Sequence, residues 1–268
     1  MSIAFDFLPS SEFPEWIEVC RLTGVHRFIK AKTRDYEDRY FLEEYKNQYN
    51  KTYYEDEANL RKLANSRLDS LIQVMGWRSD DLKNKSLLEI GSATGFFLDE
   101  ARKRGFQVEG IEISNEGYRY STDVLKLSVF KGGLLDFNSS EKKWDVVASF
   151  FTLEHIPEIM EIWIKISSLL RKGGGLILAL PSFYGPTFQT NPKQWFETHP
   201  SDHFFDYDHR SLKKVLNCLD LHLKLKKPLS HHPDRDKGWK GYLPNPGYKW
   251  ISDVLCYGDT FQIIAEKK

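Results

Sequence analysis

The segment that decides the fold is Leu87-Leu88-Glu89-Ile90-Gly91-Ser92-Ala93-Thr94-Gly95-Phe96-Phe97. An apolar run ends at an acidic residue, a turn of small residues follows, and a helical pattern begins directly after it. This order predicts a strand, a tight turn and a helix whose first backbone N–H groups face a ligand. A second apolar run, residues 108–113, carries Glu112 near its end. The pattern therefore predicts a β-α-β nucleotide site in which the Glu112 carboxylate binds two ribose hydroxyls.

The spacing within the turn excludes two other classes of nucleotide site. A dinucleotide fingerprint reads G-x-G-x-x-G, whereas residues 89–95 read E-x-G-x-x-x-G. A P-loop needs a Lys-Ser or Lys-Thr pair after its last glycine, and Gly95 is followed by Phe96 and Phe97.

The same turn resembles motif I of the class I S-adenosylmethionine (SAM) dependent methyltransferases, which reads acidic residue, x, G, x, G, x, G. Ala93 stands at the middle glycine and is still small. Three later segments are similar to further motifs of that family in the expected order: 110–114 with the ribose acid, 144–157 with strand four and its Leu-Glu-His turn, and 170–175 with a glycine hairpin into strand five. The resemblance covers roughly residues 40 to 268, and it extends to bacterial "LEH"-type small-molecule and glycan methyltransferases and to the ubiquinone-type O-methyltransferases.

The resemblance implies an α/β fold with a Rossmann-like, seven-stranded methyltransferase sheet, mostly parallel with an antiparallel last strand, plus an N-terminal helical lid. Apolar periodicity predicts alternating helices and seven strands, at 86–90, 107–112, 128–131, 144–149, 176–180, 221–226 and 260–265. We expect an N-terminal extension and helical lid over residues 1–75 and a SAM-binding methyltransferase domain over 76–268. Acceptor-pocket insertions are expected near 182–208 and 228–246, because loops of this length are usually functional or mobile.

The resemblance implies SAM as the cofactor and S-adenosylhomocysteine as its product. Glu89 matches the family acid near the SAM ammonium group, and Glu112 matches the ribose acid. Where relatives carry an acid for the adenine amine, Gly133 and Leu134 offer backbone and an apolar wall, and Asp136 is a doubtful substitute. The cofactor set expected in this way is Glu89, Gly91, Ser92, Ala93, Thr94, Gly95, Phe96, Phe97, Glu112, Ile113, Ser114, Gly133, Leu134, Phe150, Phe151, Tyr49 and Tyr53.

Two aromatic pairs in that set have alternative interpretations. Phe150 and Phe151, at the end of strand four, either flank the methionine arm of SAM or pack in the core. Tyr49 and Tyr53 either present their rings to SAM from the lid or pack the following helix onto the sheet.

His155 is the leading candidate for a general base, because it follows strand four at the sheet edge where ligands bind. The alternative is that it supports the local turn. His203, in the histidine- and aspartate-rich segment 199–209, is a second candidate base. In the ubiquinone-type enzymes a similar Glu-His pair helps to bind a divalent metal together with a Glu three residues earlier. Phe151 occupies that position here, and no spacing places the ligand types of 199–209 on one helix face, so no metal is expected.

Composition narrows the possible partners and compartment. Lys plus Arg equals Asp plus Glu, 38 each, so the formal charge is zero and a nucleic-acid substrate is disfavoured. Three widely spaced cysteines predict reduced thiols and a cytoplasmic protein. Cys20 begins a segment that looks like the relic of a C-x-x-C-G zinc knuckle, but Thr23 replaces its second cysteine, so zinc is not expected there. No apolar stretch reaches transmembrane length, and no secretory signal is expected, because the first residues carry Asp6 and Glu12 and no basic n-region.

These features predict a SAM-dependent methyltransferase that transfers a methyl group to an oxygen of a small molecule, a sugar or a lipid-linked intermediate. DNA is not an expected partner, since the N/D-P-P-Y/F tetrad of the amino-methylating DNA enzymes does not follow strand four. Two alternatives stay open: a SAM-binding regulatory protein without turnover, and an RNA or protein methyltransferase. The acceptor and the oligomeric state are not determined by the sequence.

Overall fold

A computed structural model describes residues 3–34, 46 and 50–268, in which strands form two sheets with helices packed against them. The strands are β1 (Phe7–Pro9), β2 (Ile17–Cys20), β3 (His26–Phe28), β4 (Ser86–Ile90), β5 (Gln107–Glu112), β6 (Val129–Lys131), β7 (Trp144–Phe150), β8 (Leu170–Pro181), β9 (Phe205–Asp206), β10 (Leu221–Pro228) and β11 (Thr260–Lys267). The α-helices are α1 (Glu57–Met75), α2 (Phe96–Lys103), α3 (Asn115–Arg119), α4 (Ile159–Leu169), α5 (Pro186–Thr190), α6 (Pro192–Glu197), α7 (His209–Cys218) and α8 (Asn245–Leu255).

The larger sheet has seven strands in the order β10-β11-β8-β7-β4-β5-β6. Strands β4 to β8 run parallel to their neighbours, and β11 is antiparallel to both β8 and β10. This arrangement confirms the predicted mostly parallel, Rossmann-like sheet with an antiparallel last strand. Because β4 has β5 on one side and β7 on the other, the direction of winding reverses there, and ligands bind at such a point in open α/β sheets.

Helix α1 confirms the helix that apolar spacing predicts from Leu60. It ends at Gly76, whose left-handed backbone (φ 67°) lets its N–H reach the carbonyl of Gln73. Leu68 and Leu71 are fully buried on its apolar face. The function of this helix as part of a lid stays a prediction, and Tyr49 lies outside the described residues.

A smaller sheet, ordered β1-β2-β3-β9, is a feature that sequence analysis did not find. Its strands are two to four residues long, too short for a period-2 pattern to stand out. Strand β9 pairs with β3, with His26 opposite Asp206 and Arg27 opposite Phe205. The N-terminal segment is therefore joined to the insertion at 182–208 through backbone pairing.

The expected glycine hairpin before strand five is replaced by a bulge within the single strand β8. Leu170 pairs with Trp144 and Gly175 pairs with Val146, so four residues of β8 bulge opposite one residue of β7. Gly173 adopts a left-handed conformation (φ 72°) in this bulge, which keeps the chain in the sheet rather than reversing it.

Both faces of the larger sheet are covered, as a mostly parallel sheet requires. One face packs against α4 and α7 around Trp163 and Leu212, and the other packs against α1 and α2 around Leu68 and Leu98. Within the described part of the chain, none of the helices has the length and apolar character needed to cross a bilayer.

Candidate functional site

The turn between β4 and α2 uses left-handed backbone at three of its five residues: Gly91 (φ 71°), Ala93 (φ 48°) and Gly95 (φ 82°). A Cβ atom at Gly91 would lie 2.3 Å from Oγ1 of Thr152, and one at Gly95 would lie 2.6 Å from Cδ1 of Leu127. Gly91 is therefore required sterically as well as conformationally, whereas at Gly95 the nearest atom ends a flexible side chain and the positive φ is the main constraint. The contact with Thr152 also brings this turn against the segment that follows β7.

Glu112 is fixed at the end of β5 and is 5 % exposed. Its Oε2 accepts a hydrogen bond of 2.7 Å from the N–H of Ala93, and its Oε1 accepts one of 2.7 Å from the N–H of Ser114. A carboxylate offers about four lone-pair positions, so two remain for ribose hydroxyls. The Ser114 hydroxyl accepts the N–H of Gly117 and so caps the start of α3.

Glu89 and Arg67 are buried side chains of opposite charge type that interact electrostatically, and sequence analysis found only Glu89. Burial raises the pKa of Glu89 well above its ordinary value, and the charge of Arg67 opposes that rise. Burial lowers the pKa of Arg67 to about 10, with Glu89 opposing that change. Oε2 of Glu89 has no hydrogen-bond partner among the described residues. Such a pair suits a ligand that carries both an ammonium and a carboxylate group.

Arg67 lies on α1, and its Cζ is 3.9 Å from the ring centroid of Phe150. The signal that could have identified it was its position in the apolar face of the helix, next to Leu68 and four residues before Leu71. A charged residue in that register is buried against the sheet and needs a partner there.

The aromatic residues that follow the turn connect it to the N-terminal segment. The Phe96 ring stacks on Tyr53 with centroids 5.9 Å apart, and the Phe97 ring meets Phe150 edge-on at 4.7 Å. Phe96 and Phe97 are both buried, so their backbone at the start of α2, rather than an exposed ring, faces the turn. Tyr53 therefore contacts the start of α2, directly after the turn.

The remaining residues of the turn region differ widely in exposure. Ser92 and Thr94 are buried, and their hydroxyls have no hydrogen-bond partner among the described residues. Phe151 is 38 % exposed and has a left-handed backbone (φ 54°), a conformation that costs about 1–2 kcal/mol for a residue with a Cβ atom. Its N–H donates to the carbonyl of Ala179, which holds this conformation at the carboxyl end of β7.

On the expected adenine side, Leu134 is buried in the main core at 3 % exposure, whereas Ile113 is 47 % exposed. The N–H of Gly133 donates to Oδ2 of Asp136 at 3.3 Å. Ile113 is therefore the more accessible apolar side chain of the two, and Asp136 orders the loop that carries Gly133.

His155 lies in the short 3₁₀ turn Leu153–His155 directly after β7. Its Nδ1 is 3.1 Å from the backbone carbonyl oxygen of Asp202 and 3.3 Å from Oδ2 of that residue, whose carboxylate also pairs with Arg34 at 3.3 Å. Burial alone would lower the pKa of His155, but its hydrogen bond to Asp202 and the neighbouring Glu154 charge outweigh burial and raise that pKa. Asp202 is thus a residue that orients His155, and nothing in its local sequence indicates this contact.

The second candidate base, His203, packs its ring edge-on against His155 with centroids 4.7 Å apart. Burial, followed by the nearby His155, lowers the pKa of His203 to about 3. The structure therefore brings both predicted histidines into direct ring contact.

The metal set of the ubiquinone-type enzymes is incomplete here. Glu154, His155 and His203 place ligand-type atoms within 4.8 Å of one another. The position of the first acid of that set is Phe151, which has no ligand atom. The residues present do not fit that site.

Comparisons with known proteins indicate the family and the fold of the chain. The sequence profile of a family described as a methyltransferase domain matches residues 60–223. A ubiquinone biosynthesis O-methyltransferase from Aeromonas salmonicida is 26 % identical over 128 residues, which are 44 % of this chain and 49 % of that protein. One from Pelagibacter ubique is 30 % identical over 118 residues, 41 % of this chain and 49 % of that protein. This chain thus spans about half the length of these curated relatives.

Among solved structures, a SAM-dependent methyltransferase from Archaeoglobus fulgidus superposes with a TM-score of 0.60 at 18 % identity, covering 86 % of this chain and 100 % of that one. At this level of identity the superposition supports the fold.

Proposed function

We propose that this chain transfers the SAM methyl group to a hydroxyl oxygen of a small molecule. The chain belongs to the methyltransferase domain family and is a class I SAM-dependent methyltransferase. A sugar or a lipid-linked intermediate falls within the same proposal, because either offers such a hydroxyl. Oxygen as the acceptor atom is supported by the similarity to the ubiquinone biosynthesis O-methyltransferases.

One observation carries the proposal: the cofactor turn and the turn that holds His155 are in contact. The position of Gly91 is closed by Thr152, which is three residues before His155. A base on that turn would therefore lie near a cofactor bound at residues 91–95, which supports His155 as the group that takes the acceptor proton. Since Nδ1 of His155 is engaged with Asp202, Nε2 is the nitrogen that would take the acceptor proton.

The cofactor residues follow from the charges and hydrogen-bonding groups at the turn. Glu89 would face the SAM ammonium group and Arg67 its carboxylate, which would satisfy two buried charges at once. Glu112 would accept hydrogen bonds from the ribose hydroxyls. Phe150 would pack along the methionine arm, with Arg67 held over its ring.

The reaction is an in-line displacement. The acceptor oxygen forms a bond to the methyl carbon, the bond from that carbon to sulfur breaks, and S-adenosylhomocysteine leaves. His155 takes the proton of the acceptor hydroxyl, so that no charged oxonium product accumulates. Positioning of the two reactants and removal of water contribute most of the acceleration in such a transfer.

The test uses a panel of hydroxylated acceptors: phenols, sugar nucleotides and polyprenyl-linked sugars. Each is incubated with the full chain and with SAM that carries an isotopically labelled methyl group. We expect S-adenosylhomocysteine to form in step with a labelled methoxy product, identified by NMR. A labelled N-methyl or C-methyl product instead would overturn the O-transfer proposal while leaving the methyltransferase assignment intact.

The two alternative functions are separated by further samples in the same assay. Label that appears in total RNA or in protein favours an RNA or protein methyltransferase. Tight SAM binding in a calorimeter, with no product across the whole panel, favours a SAM-binding regulatory protein. Either result contradicts the proposed transfer to a small-molecule hydroxyl.

A further inference from the structure

Three side chains from the loop after α6 and from β9 converge beside the turn that holds His155. His199 and His203 lie in the loop, and Asp206 lies on β9. One ligand-type atom of each lies within 4.8 Å of those of the other two. Because β9 pairs with β3, the backbone of Asp206 is fixed by the smaller sheet. The three side chains are therefore within reach of a single ion.

The hydrogen bonds of His199 indicate which of its nitrogens faces that ion. Nδ1 lies 3.0 Å from the carbonyl oxygen of Pro200, which can only accept, so Nδ1 carries a proton. Nε2 lies 2.9 Å from Oδ2 of Asp206. This contact is a hydrogen bond in the absence of metal, and a metal ion bound by both atoms would take its place. Metal-binding histidines commonly donate their other N–H to a backbone carbonyl in this way.

Two buried carboxylates, Asp206 of this group and the nearby Glu154, have oxygens without a hydrogen-bond partner among the described residues. Asp206 is 2 % exposed, and its Oδ1 has no hydrogen-bond partner among the described residues. Glu154 is 1 % exposed, and both of its carboxylate oxygens lack such a partner in the same part of the chain. Buried polar atoms without partners are uncommon in folded proteins, since each one costs about 1–3 kcal/mol. A nearby dication supplies the missing compensation.

We propose that His199, His203 and Asp206 bind one first-row transition-metal dication, of which Zn²⁺ is the representative. Two imidazole nitrogens and one carboxylate oxygen are donors that Zn²⁺ accepts, and three protein ligands leave a fourth position open. The site differs from that of the ubiquinone-type enzymes, which is incomplete at Phe151. It also reverses the expectation from sequence, because only the fold brings this loop and β9 together.

The metal site separates the two candidate bases. His203 becomes a ligand, and His155, in contact with it, keeps the function of general base. The ion also ties the loop at 199–204 to the smaller sheet, next to the acceptor side of the cofactor turn. The metal site is inferred from the positions of side chains in the protein without cofactor, so metal binding can be tested independently of methyl transfer.

The test measures metal binding in the absence of SAM and acceptor. The full chain, with any polyhistidine tag removed and treated with chelator, is titrated with Zn²⁺ in a calorimeter and with Co²⁺ by visible absorption. We expect about one equivalent to bind and the Co²⁺ complex to show the intense bands of a four-coordinate N/O site. His199→Gln should weaken Zn²⁺ binding by at least about 10-fold. This is the smallest loss usually seen when a residue that only hydrogen-bonds to a metal ligand is removed, and loss of a ligand should cost more.

Asp206→Asn is a second ligand variant, and circular dichroism shows whether each variant is folded. His222→Gln is the matched control, because His222 is exposed on β10 and should bind Zn²⁺ as the wild type does. Absence of saturable binding to the wild type would overturn the proposal. Undiminished binding in folded His199→Gln would do so too, by assigning the metal to other residues.

Discussion

The cofactor turn, residues 91–95, and the imidazole–carboxylate cluster, formed by Glu154, His155, His199, His203 and Asp206, are built in opposite ways. The turn comes from one short segment, residues 91–95, which β5 holds through hydrogen bonds from the N–H groups of Gly91 and Ser92 to Ile111 and from that of Ala93 to Glu112. The cluster joins the turn after β7, the loop after α6 and the short strand β9. The turn is determined by left-handed backbone and by glycines, which have no side chain. The cluster is determined by buried carboxylates and imidazole rings.

The difference shows which interactions determine the geometry of each half of the site. The turn depends on positive φ at residues 91, 93 and 95 and on the lack of space for a side chain at Gly91, so these positions are the strongly constrained ones. The cluster depends on side chains that three segments bring into contact, and each segment alone is compatible with many other functions. We therefore expect changes in the turn to affect folding and cofactor binding together, and changes in the cluster to affect turnover or metal binding.

The largest effect is expected for Gly91→Ala, measured against Gly173→Ala. The two glycines have nearly the same backbone angle (φ 71° and 72°), but a Cβ atom at Gly173 meets nothing within 4 Å. Gly173→Ala should cost about 1–2 kcal/mol of unfolding free energy, the cost of left-handed backbone. Gly91→Ala should cost about 3 kcal/mol or more, because overpacking against Thr152 is added. Urea denaturation measures both, and equal losses would refute the steric account.

The next largest effect is expected for His155→Gln on turnover. Loss of a general base usually lowers kcat by about 100-fold or more, while SAM binding should stay within about 2-fold of wild type. The measurement combines kcat with the acceptor found in the panel and SAM affinity by calorimetry. His222→Gln is the control for an imidazole lost elsewhere. Wild-type turnover in His155→Gln would show that the histidine supports the turn and takes no proton.

The contrast between the two regions also explains what the sequence could and could not predict. The seven-stranded sheet and the turn were predictable, because apolar periodicity and small residues are local signals. The strands β1 to β3 were not, since strands of three or four residues carry no periodic pattern. His155 was identified from its place after β7, but its contact with Asp202 spans 47 residues and has no local signature. Arg67 was missed for a similar reason: its partner Glu89 lies on the sheet, not on the helix.

Glu112→Ala should have an intermediate effect, directed at cofactor binding. The substitution removes the acceptor of two backbone N–H groups as well as the proposed ribose contact, so SAM binding should weaken by about 1–2 kcal/mol. Glu109→Ala, on the same strand, removes a carboxylate that pairs with Lys142 near the surface and should leave SAM binding unchanged. Calorimetric titration with SAM compares the two. Equal affinities would remove Glu112 from the cofactor site.

Ala93→Gly should have the smallest effect and tests whether the turn uses backbone alone. The hydrogen bond to Glu112 comes from the N–H of Ala93, which glycine retains. Glycine relieves the left-handed backbone at this position but gains freedom in the unfolded chain, so the unfolding free energy should change by less than about 1 kcal/mol. SAM affinity should stay close to wild type. Ala93→Val is the matched opposite, because a β-branched side chain is poorly tolerated at positive φ. If Ala93→Gly lost affinity as strongly as Glu112→Ala, the methyl group of Ala93 would itself contact the cofactor, and the turn would recognise its ligand through a side chain as the cluster does.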